Sequence, residues 1–365
     1  MAKTCRLAMV AAGVVLALSA TSGSALAQMY KGKTMTMIIN YPAGGPTDIE
    51  GRVVARHLPK HIAGNPTIIV KNIGGGGGMI GTNNLGEVAK PDGLTFGFFT
   101  WNIIAAIQGD PGLRVTYDKF ELLAGVQNPL IYYIRTDTPP GIKTPADLMK
   151  TKGFKSLTLD ASNTNTLQQA MAMDILGVKT LIVPGYRGLK AVQTGILQNE
   201  GQAANTSLPG WRASIEPTMA KQGIVKALFQ IAPPGKDGTY PRSEVVPELQ
   251  TFEEYYASVK GGQKPSGILY KTMRTYTDVL TSMFRTAFLP PKSPEAAVKE
   301  LRKAFVEMWK DEGFISDYTK TVKSRPVLVT GDDGEAMLKA LASVDPQVKS
   351  TIGDYVKRIV AGGKK

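Results

Sequence analysis

Short runs of apolar residues alternate along the chain with segments spaced for helices. Thr36-Met-Ile-Ile-Asn40 reads as a strand, and Ile49, Val53, Val54 and Leu58 put an apolar face on a helix over 47–58, which Pro59 ends or kinks. A second strand over 66–70 leads to the Gly74–Gly78 run and a short helix near 80–88. The Pro91-Asp-Gly93 turn then opens a third strand over 94–99. Strands separated by short helices predict a parallel, doubly wound sheet with ligands at the carboxyl ends of its strands. A second series follows: strand 130–134, a helix opened by Thr144-Pro145 as N-cap and N1, strand 156–159, helix 167–176 and strand 180–183, with a turn at Gly185–Gly188. Residues 233–282, rich in Pro, Gly and Tyr, show no clear period, whereas Ala297, Leu301, Ala304, Phe305 and Met308 define a helix over 294–310. Two αβ units with similar loops facing one another make a cleft.

The loop Tyr41-Pro-Ala-Gly-Gly-Pro-Thr-Asp48 joins the first strand to its helix. Gly44 and Gly45 allow a tight turn that leaves amides free, and Thr47 with Glu50 fits a capping box that starts the helix near Thr47. Free amides at a helix N-terminus favour a negative charge, so Ala43–Asp48 is a candidate anion site. In the second unit Asp160-Ala-Ser-Asn-Thr-Asn-Thr166 precedes a helix in the same way. Ser162, Asn163, Thr164, Asn165 and Thr166 offer hydroxyl and amide groups there, or form a plain N-cap. Asn205-Thr206-Ser207 offers further polar contacts or a strand end, and Trp101 and Phe284 are either pocket walls or core.

Catalytic chemistry is hard to find. Gly76-x-Gly78-x-x-Gly81 has the spacing of a dinucleotide fingerprint, but Thr100-Trp101 stand where the next strand needs an acidic residue. A tight, ligand-adjacent turn fits it better. The two histidines, His57 and His61, have an i, i+4 spacing interrupted by Pro59 and lack the glutamate of a zinc protease, so surface positions are expected and no metal site. No G-x-S-x-G or S-x-x-K occurs, and the only cysteine is Cys5. No enzyme activity and no cofactor are expected.

Composition narrows the class. A chain of 365 residues with 43% hydrophobic content suits a soluble protein of two or three domains. Lys3 and Arg6, the apolar run Leu7–Ala20 and Ala25-Leu-Ala27 read as a secretory leader cleaved before Gln28, which carries Cys5 away with it. Removing Lys3 and Arg6 lowers the formal charge from +13 to +11, a basic balance that suits anionic partners. No stretch interleaves basic with aromatic residues as a nucleic-acid binder would. Lys357, Arg358, Lys364 and Lys365 read as a solvated basic tail.

The motifs together resemble those of the extracytoplasmic substrate-binding proteins of tripartite tricarboxylate transporters, the Bug-type receptors. Tyr41–Asp48 is similar to that family's P-x-A-P-G-G-G-T-D loop, Asn72–Thr82 to its N-R-x-G-A-G-G-N-x-G-T, and Pro91–Thr95 to its P-D-G-Y-T. Tyr117-Asp118 with Phe120, Lys143–Leu148, Val183–Gly188 and Pro290–Phe305 follow in the family's order. The departures are Pro46 in place of a third glycine, Met79 for an asparagine, the absence of G-S-x-x-H in the second loop, and a long 235–281 segment.

The resemblance implies an α/β, two-lobed periplasmic-binding-protein fold of the Venus-flytrap kind, each lobe a mixed sheet flanked by helices. It implies a leader over 1–27, a first lobe over 28–128, a second over 129–278, and a return to the first lobe over 279–365. It also implies a monomeric periplasmic receptor that captures a dicarboxylate, tricarboxylate or aromatic acid and delivers it to membrane permease subunits. A sensor subunit of a two-component system and a secreted α/β enzyme stay as alternatives. The implied ligand contacts are Tyr41, Ala43, Gly44, Gly45, Thr47 and Asp48 from the first loop and Ser162–Thr166 from the second. Beyond the resemblance, Asn205 and Thr206 are expected to join them, Trp101, Phe284 or Arg285 to meet the far end of the ligand, and Arg285, which stands in a stretch that is apolar in the family, to pair with a second carboxylate.

Overall fold

The computed structural model describes residues 29–329 and 331–362; the leader expected over 1–27, Lys364 and Lys365 lie outside them. In chain order the strands are β1 (Thr34–Ile39), β2 (Thr67–Asn72), β3 (Thr95–Phe99), β4 (Glu121–Gln127), β5 (Leu130–Arg135) and β6 (Phe154–Leu157). They continue as β7 (Thr180–Val183), β8 (Ala203–Ser207), β9 (Val225–Ile231), β10 (Arg285–Leu289) and β11 (Val327–Val329). They build a six-stranded sheet in the order β11-β4-β10-β3-β1-β2 and a five-stranded sheet in the order β7-β6-β8-β5-β9. Both are flanked by helices, giving the two-lobed α/β architecture.

Neither sheet is purely parallel. β1 runs parallel to β2 and β3, and β6 to β7 and β8, each pair joined through a connection long enough for a crossover. β10 and β11 run antiparallel in the first sheet and β5 in the second. The expected doubly wound parallel sheet is therefore corrected to a mixed one. β5 and β10 arrive by crossing from the other sheet, so no local βαβ unit dictates their direction. β5 shows what two-sided burial requires: Leu130, Tyr132 and Ile134 enter one core cluster while Ile131 and Tyr133 enter another.

The main helices are α1 (Pro46–His57), α2 (Ile103–Gln108), α3 (Thr164–Leu176), α4 (Leu189–Leu197) and α5 (Phe252–Val259). They are followed by α6 (Gly267–Ser282), α7 (Glu295–Met308), α8 (Glu312–Val322) and α9 (Pro346–Gly362). α1 ends at His57 and passes into a 3-10 turn containing Pro59, because proline at that point cannot supply the next helical N–H. The patternless 233–282 segment contains both α5 and α6. The stripe of α6 that buries Met273, Tyr276 and Leu280 also buries Thr272, Arg274, Thr277 and Thr281, which hides its helical period. Two of those threonines satisfy their own hydroxyls, Thr277 and Thr281 donating to carbonyls one turn back. The expected solvated tail is partly a contact. α9 packs on α2, α3 and α6, and its Arg358 pairs with Asp174 of α3 at 2.7 Å.

A buried polar knot sits where the chain returns to the first sheet. Arg285, at the start of β10, meets Glu50 of α1 at 2.5 Å, with both side chains shut off from solvent. Glu50 also accepts from Tyr318 of α8 at 2.6 Å and from Asn128, in the first crossing, at 3.4 Å. The Thr47–Glu50 capping box is thus corrected. Gly45 is the N-cap, Pro46 occupies the first turn, and Asp48 rather than Glu50 takes a preceding amide, that of Gly44, at 2.8 Å.

Three consequences are measurable. Glu50→Ala leaves a guanidinium buried without its counter-charge and is expected to lower stability by about 3–5 kcal/mol, seen as a reduced urea midpoint. Gly81, last of the G-x-G-x-x-G glycines, has space for no side chain, since a Cβ there would stand 2.5 Å from the Ile73 carbonyl oxygen and 2.8 Å from the Asn40 Cα. Gly81→Ala should cost about 1–3 kcal/mol by overpacking. Burial pushes the Asp278 carboxyl up from 3.8 to about 6, against the pull of Arg274 and Tyr240. The folded state therefore holds this proton more tightly than the unfolded one. That stabilisation is complete below about pH 4 and lost as pH rises through about 6. Asp278→Asn should gain on the wild type in urea denaturation between pH 4 and 7.

Candidate functional site

A cavity of about 310 Å³ lies between the two sheets. It is walled by residues from the first turns of three helices: Gly45-Pro46-Thr47 of α1, Asn163-Thr164-Asn165 of α3 and Gly188-Leu189-Lys190 of α4. Each helix directs the positive end of its dipole and its unpaired amides at this space. In α1 the amides of Gly45, Thr47 and Asp48 donate to no group among the described residues. Gly44 turns at a φ of +77°, a conformation open to glycine, and its own N–H is taken by Asp48.

Most of the residues expected to bind ligand converge here. Tyr41, Ala43, Gly44, Gly45, Thr47, Trp101, Asn163, Thr164, Asn165, Asn205, Thr206, Phe284 and Arg285 all line the cavity. Asp48, Ser162 and Thr166 do not. The Asp48 carboxylate works inside the loop. Although burial disfavours its charge, bonds from Arg52, Gly44 and Asn72 hold it below the usual range. Ser162 folds back on Asp160 at 3.1 Å, and Thr166 is tied to Thr158 and the Asp160 carbonyl at 2.5 and 2.7 Å. Asn163 satisfies the plain reading as well, since its side chain caps the Asn165 amide at 2.9 Å and starts α3 three residues earlier than its apolar pattern indicates.

Arg285 is the largest correction. Its charge faces Glu50, and its remaining donors reach Thr100 Oγ1 at 2.7 Å and Ser207 Oγ at 3.3 Å. It is a neutralised pair at the cavity wall rather than a free carboxylate receptor. Two cations that sequence reasoning did not single out, Arg187 and Lys190, line the cavity instead; both are exposed and hold no ion pair among the described residues. The signal for them was the Gly185–Gly188 turn, which opens a third helix N-terminus. Among the described residues, no Asp or Glu lines the cavity.

Several buried polar atoms on the wall lack protein partners: Trp101 Nε1, Thr164 Oγ1, Gln169 Oε1 and Arg285 Nε. Native interiors rarely leave such groups unpaired, and their concentration here suits a polar guest. The two lobes touch around the space. Asn163 Nδ2 donates to the Tyr41 hydroxyl at 3.3 Å, and that hydroxyl donates to the Gly77 carbonyl at 3.2 Å. Burial, reinforced by the charge of Asp160, raises the Tyr41 pKa far above 10, so it remains a neutral bridge. His57 and His61 lie away from the cavity, bonded to Asp317 and Asp311 at 2.9 and 3.0 Å.

No family model matches the chain. It is 28% identical over 349 residues to the "UPF0065 protein in the TAR-I ttuE-ttuC' intergenic region" of Agrobacterium vitis, covering 92% of this chain and 86% of that one. It is 36% identical over 83 residues to BugT of Bordetella pertussis, about a quarter of each chain (23% and 24%). Among solved structures, the periplasmic binding protein BugD aligns with a TM-score of 0.62 at 22% identity, over 92% of this chain and 99% of that one. MatC from Rhodopseudomonas palustris with bound malate gives 0.61 at 18%, over 91% and 99%. The R. palustris protein Rpa4515 with adipate gives 0.64 at 16%, over 88% and 97%. These structures share the fold. The chain is thus similar over most of its length to a UPF0065 protein, over a quarter of it to BugT, and in fold to BugD and other periplasmic binding proteins.

Proposed function

We propose that this protein is a periplasmic receptor that captures a small organic carboxylate between its lobes and delivers it to the membrane subunits of a tripartite transporter. The observation that carries the reading is the convergence of three helix N-termini on one cavity that has no acidic side chain in its wall. A carboxylate placed there exchanges water for oriented amides, which compensates the cost of burying its charge. One carboxylate docks on the amides of Gly45, Thr47 and Asp48, with Trp101 Nε1 and Thr164 Oγ1 as further donors. The exposed Arg187 and Lys190 favour a second anionic group at the opposite end.

The lobes open and close about two crossings, Asn128-Pro129 and the stretch before Arg285, with Tyr41 and Asn163 meeting on closure. That malate and adipate occupy related folds supports a carboxylate of this size. A rigid-body closure of this kind traps ligand and gives membrane partners a distinct bound shape to recognise.

A thermal-shift panel of dicarboxylates, tricarboxylates, aromatic acids, phosphate and sulfate tests the reading. An acid at about 100 times its Kd adds roughly 2.7 kcal/mol to stability, a clear rise in Tm. Gly45→Asp, which sets a negative charge among the docking amides, should weaken that acid about a hundredfold while far-UV circular dichroism stays unchanged. A panel in which no carboxylate raises Tm, or undiminished affinity in Gly45→Asp, refutes the assignment.

A further inference from the structure

We infer that the cleft selects a hydroxylated carboxylate over its unsubstituted and amino counterparts, because Gln169 offers a buried acceptor in a wall without acidic groups. The inference rests on the carboxylate reading above and names the substrate class within it.

The orientation of the amides follows from one backbone atom. The Asn165 carbonyl can only accept, so Asn205 must turn its Nδ2 towards it, at 2.9 Å. The same Nδ2 donates to Gln168 Oε1 at 2.5 Å. Asn205 Oδ1 then faces Gln169, and that acceptor is met by Gln169 Nε2 at 3.2 Å. The chain of bonds leaves Gln169 Oε1 over. Gln169 lines the cavity and is 1% exposed, and no donor among the described residues reaches this oxygen. Flipping the Gln169 amide would set two carbonyl oxygens against each other, so the acceptor cannot be exchanged for a donor.

A buried amide oxygen without a donor is unfavourable, and a ligand that supplies one removes that cost. The other unpartnered side-chain atoms on this wall, Trp101 Nε1, Arg285 Nε and Thr164 Oγ1, can all donate and suit the carboxylate oxygens. Gln169 Oε1 has the opposite polarity and asks for an O–H or N–H on the ligand's carbon frame.

Charge separates those two donors. An ammonium group needs a carboxylate close by, because burying it unpaired is costly. The wall supplies none. Asp48 is bound to Arg52, Gly44 and Asn72, Glu50 to Arg285 and Tyr318, and Asp160 to Ser162, and none of the three lines the cavity. The wall carries Arg187 and Lys190, which repel a cation. A hydroxyl donates to Gln169 without bringing charge, so the 2-hydroxy acid fits where the 2-amino acid does not.

Isothermal titration of the purified protein, stripped of ligand by unfolding and refolding, tests this with matched probes: succinate, malate and aspartate; glutarate, 2-hydroxyglutarate and glutamate; tricarballylate and citrate. In the chain-length series that binds, the hydroxy acid should be tighter than the unsubstituted acid by about tenfold, and the amino acid should be the weakest of the three. In Gln169→Met the hydroxy acid's advantage over the unsubstituted acid should vanish. Equal binding of hydroxy and unsubstituted acids by the wild type, or a preference for the amino acid, overturns the inference and leaves the carboxylate receptor standing. Failure of every acid to bind overturns both. The wild-type comparison decides the matter even if Gln169→Met does not fold.

Discussion

The buried Glu50–Arg285 pair is the interaction around which the molecule is arranged. Glu50 belongs to the helix whose N-terminal residues line the cleft, and Arg285 begins the strand by which the chain returns from the second sheet. Tyr318 and Asn128 close the carboxylate's remaining side, while Thr100 and Ser207 accept from the guanidinium's two terminal nitrogens, one from each lobe. A charge pair shielded this well does not need to exceed an apolar core in stability to have a use. It fixes where α1, β10 and the first crossing meet, and partners with one permitted geometry do that better than interchangeable methyl groups.

The same pair sets the electrostatics of the cleft. With Arg285 neutralised, the deep wall holds no free side-chain charge, and its attraction for anions comes from oriented backbone dipoles. Such dipoles are fixed before any ligand arrives, so little reorganisation is needed at binding. The free cations, Arg187 and Lys190, sit where solvent screens them, which makes them suited to drawing an anion in and reading its far end. Deep recognition is then left to shape and to neutral hydrogen bonds, chiefly those of the Gln169–Asn205–Asn165 chain.

Much of this was legible because local chemistry is dense in a few loops. Tyr41–Asp48 carries its meaning in four positions, 44, 45, 46 and 48: glycines that turn, a proline that opens a helix, and an aspartate that braces the turn. What misled was equally local. Thr47 and Glu50 have the spacing of a capping box, yet a tertiary partner 235 positions away, Arg285, claims the glutamate. Ser162 and Thr166 have the right chemistry for a ligand loop but satisfy Asp160 and Thr158 instead. Gln169 gave no warning at all, because a glutamine inside a helix acquires a role only through Asn205, which comes from a different strand.

The sequence by itself determined the leading elements of each unit, their αβ character and the placing of helix N-termini after strands, while α5 and α6 left no readable period. Those features depend on residues within a turn or two of each other, and periodicity and capping record them directly. Tertiary structure decided the strand directions of β5 and β10, the polarity of the cleft and the identity of its free charges. Each of these rests on which group pairs with which across the fold. A carboxylate or an amide has the same formula whether it faces ligand, water or a buried partner, so only the folded arrangement assigns its hydrogen bonds.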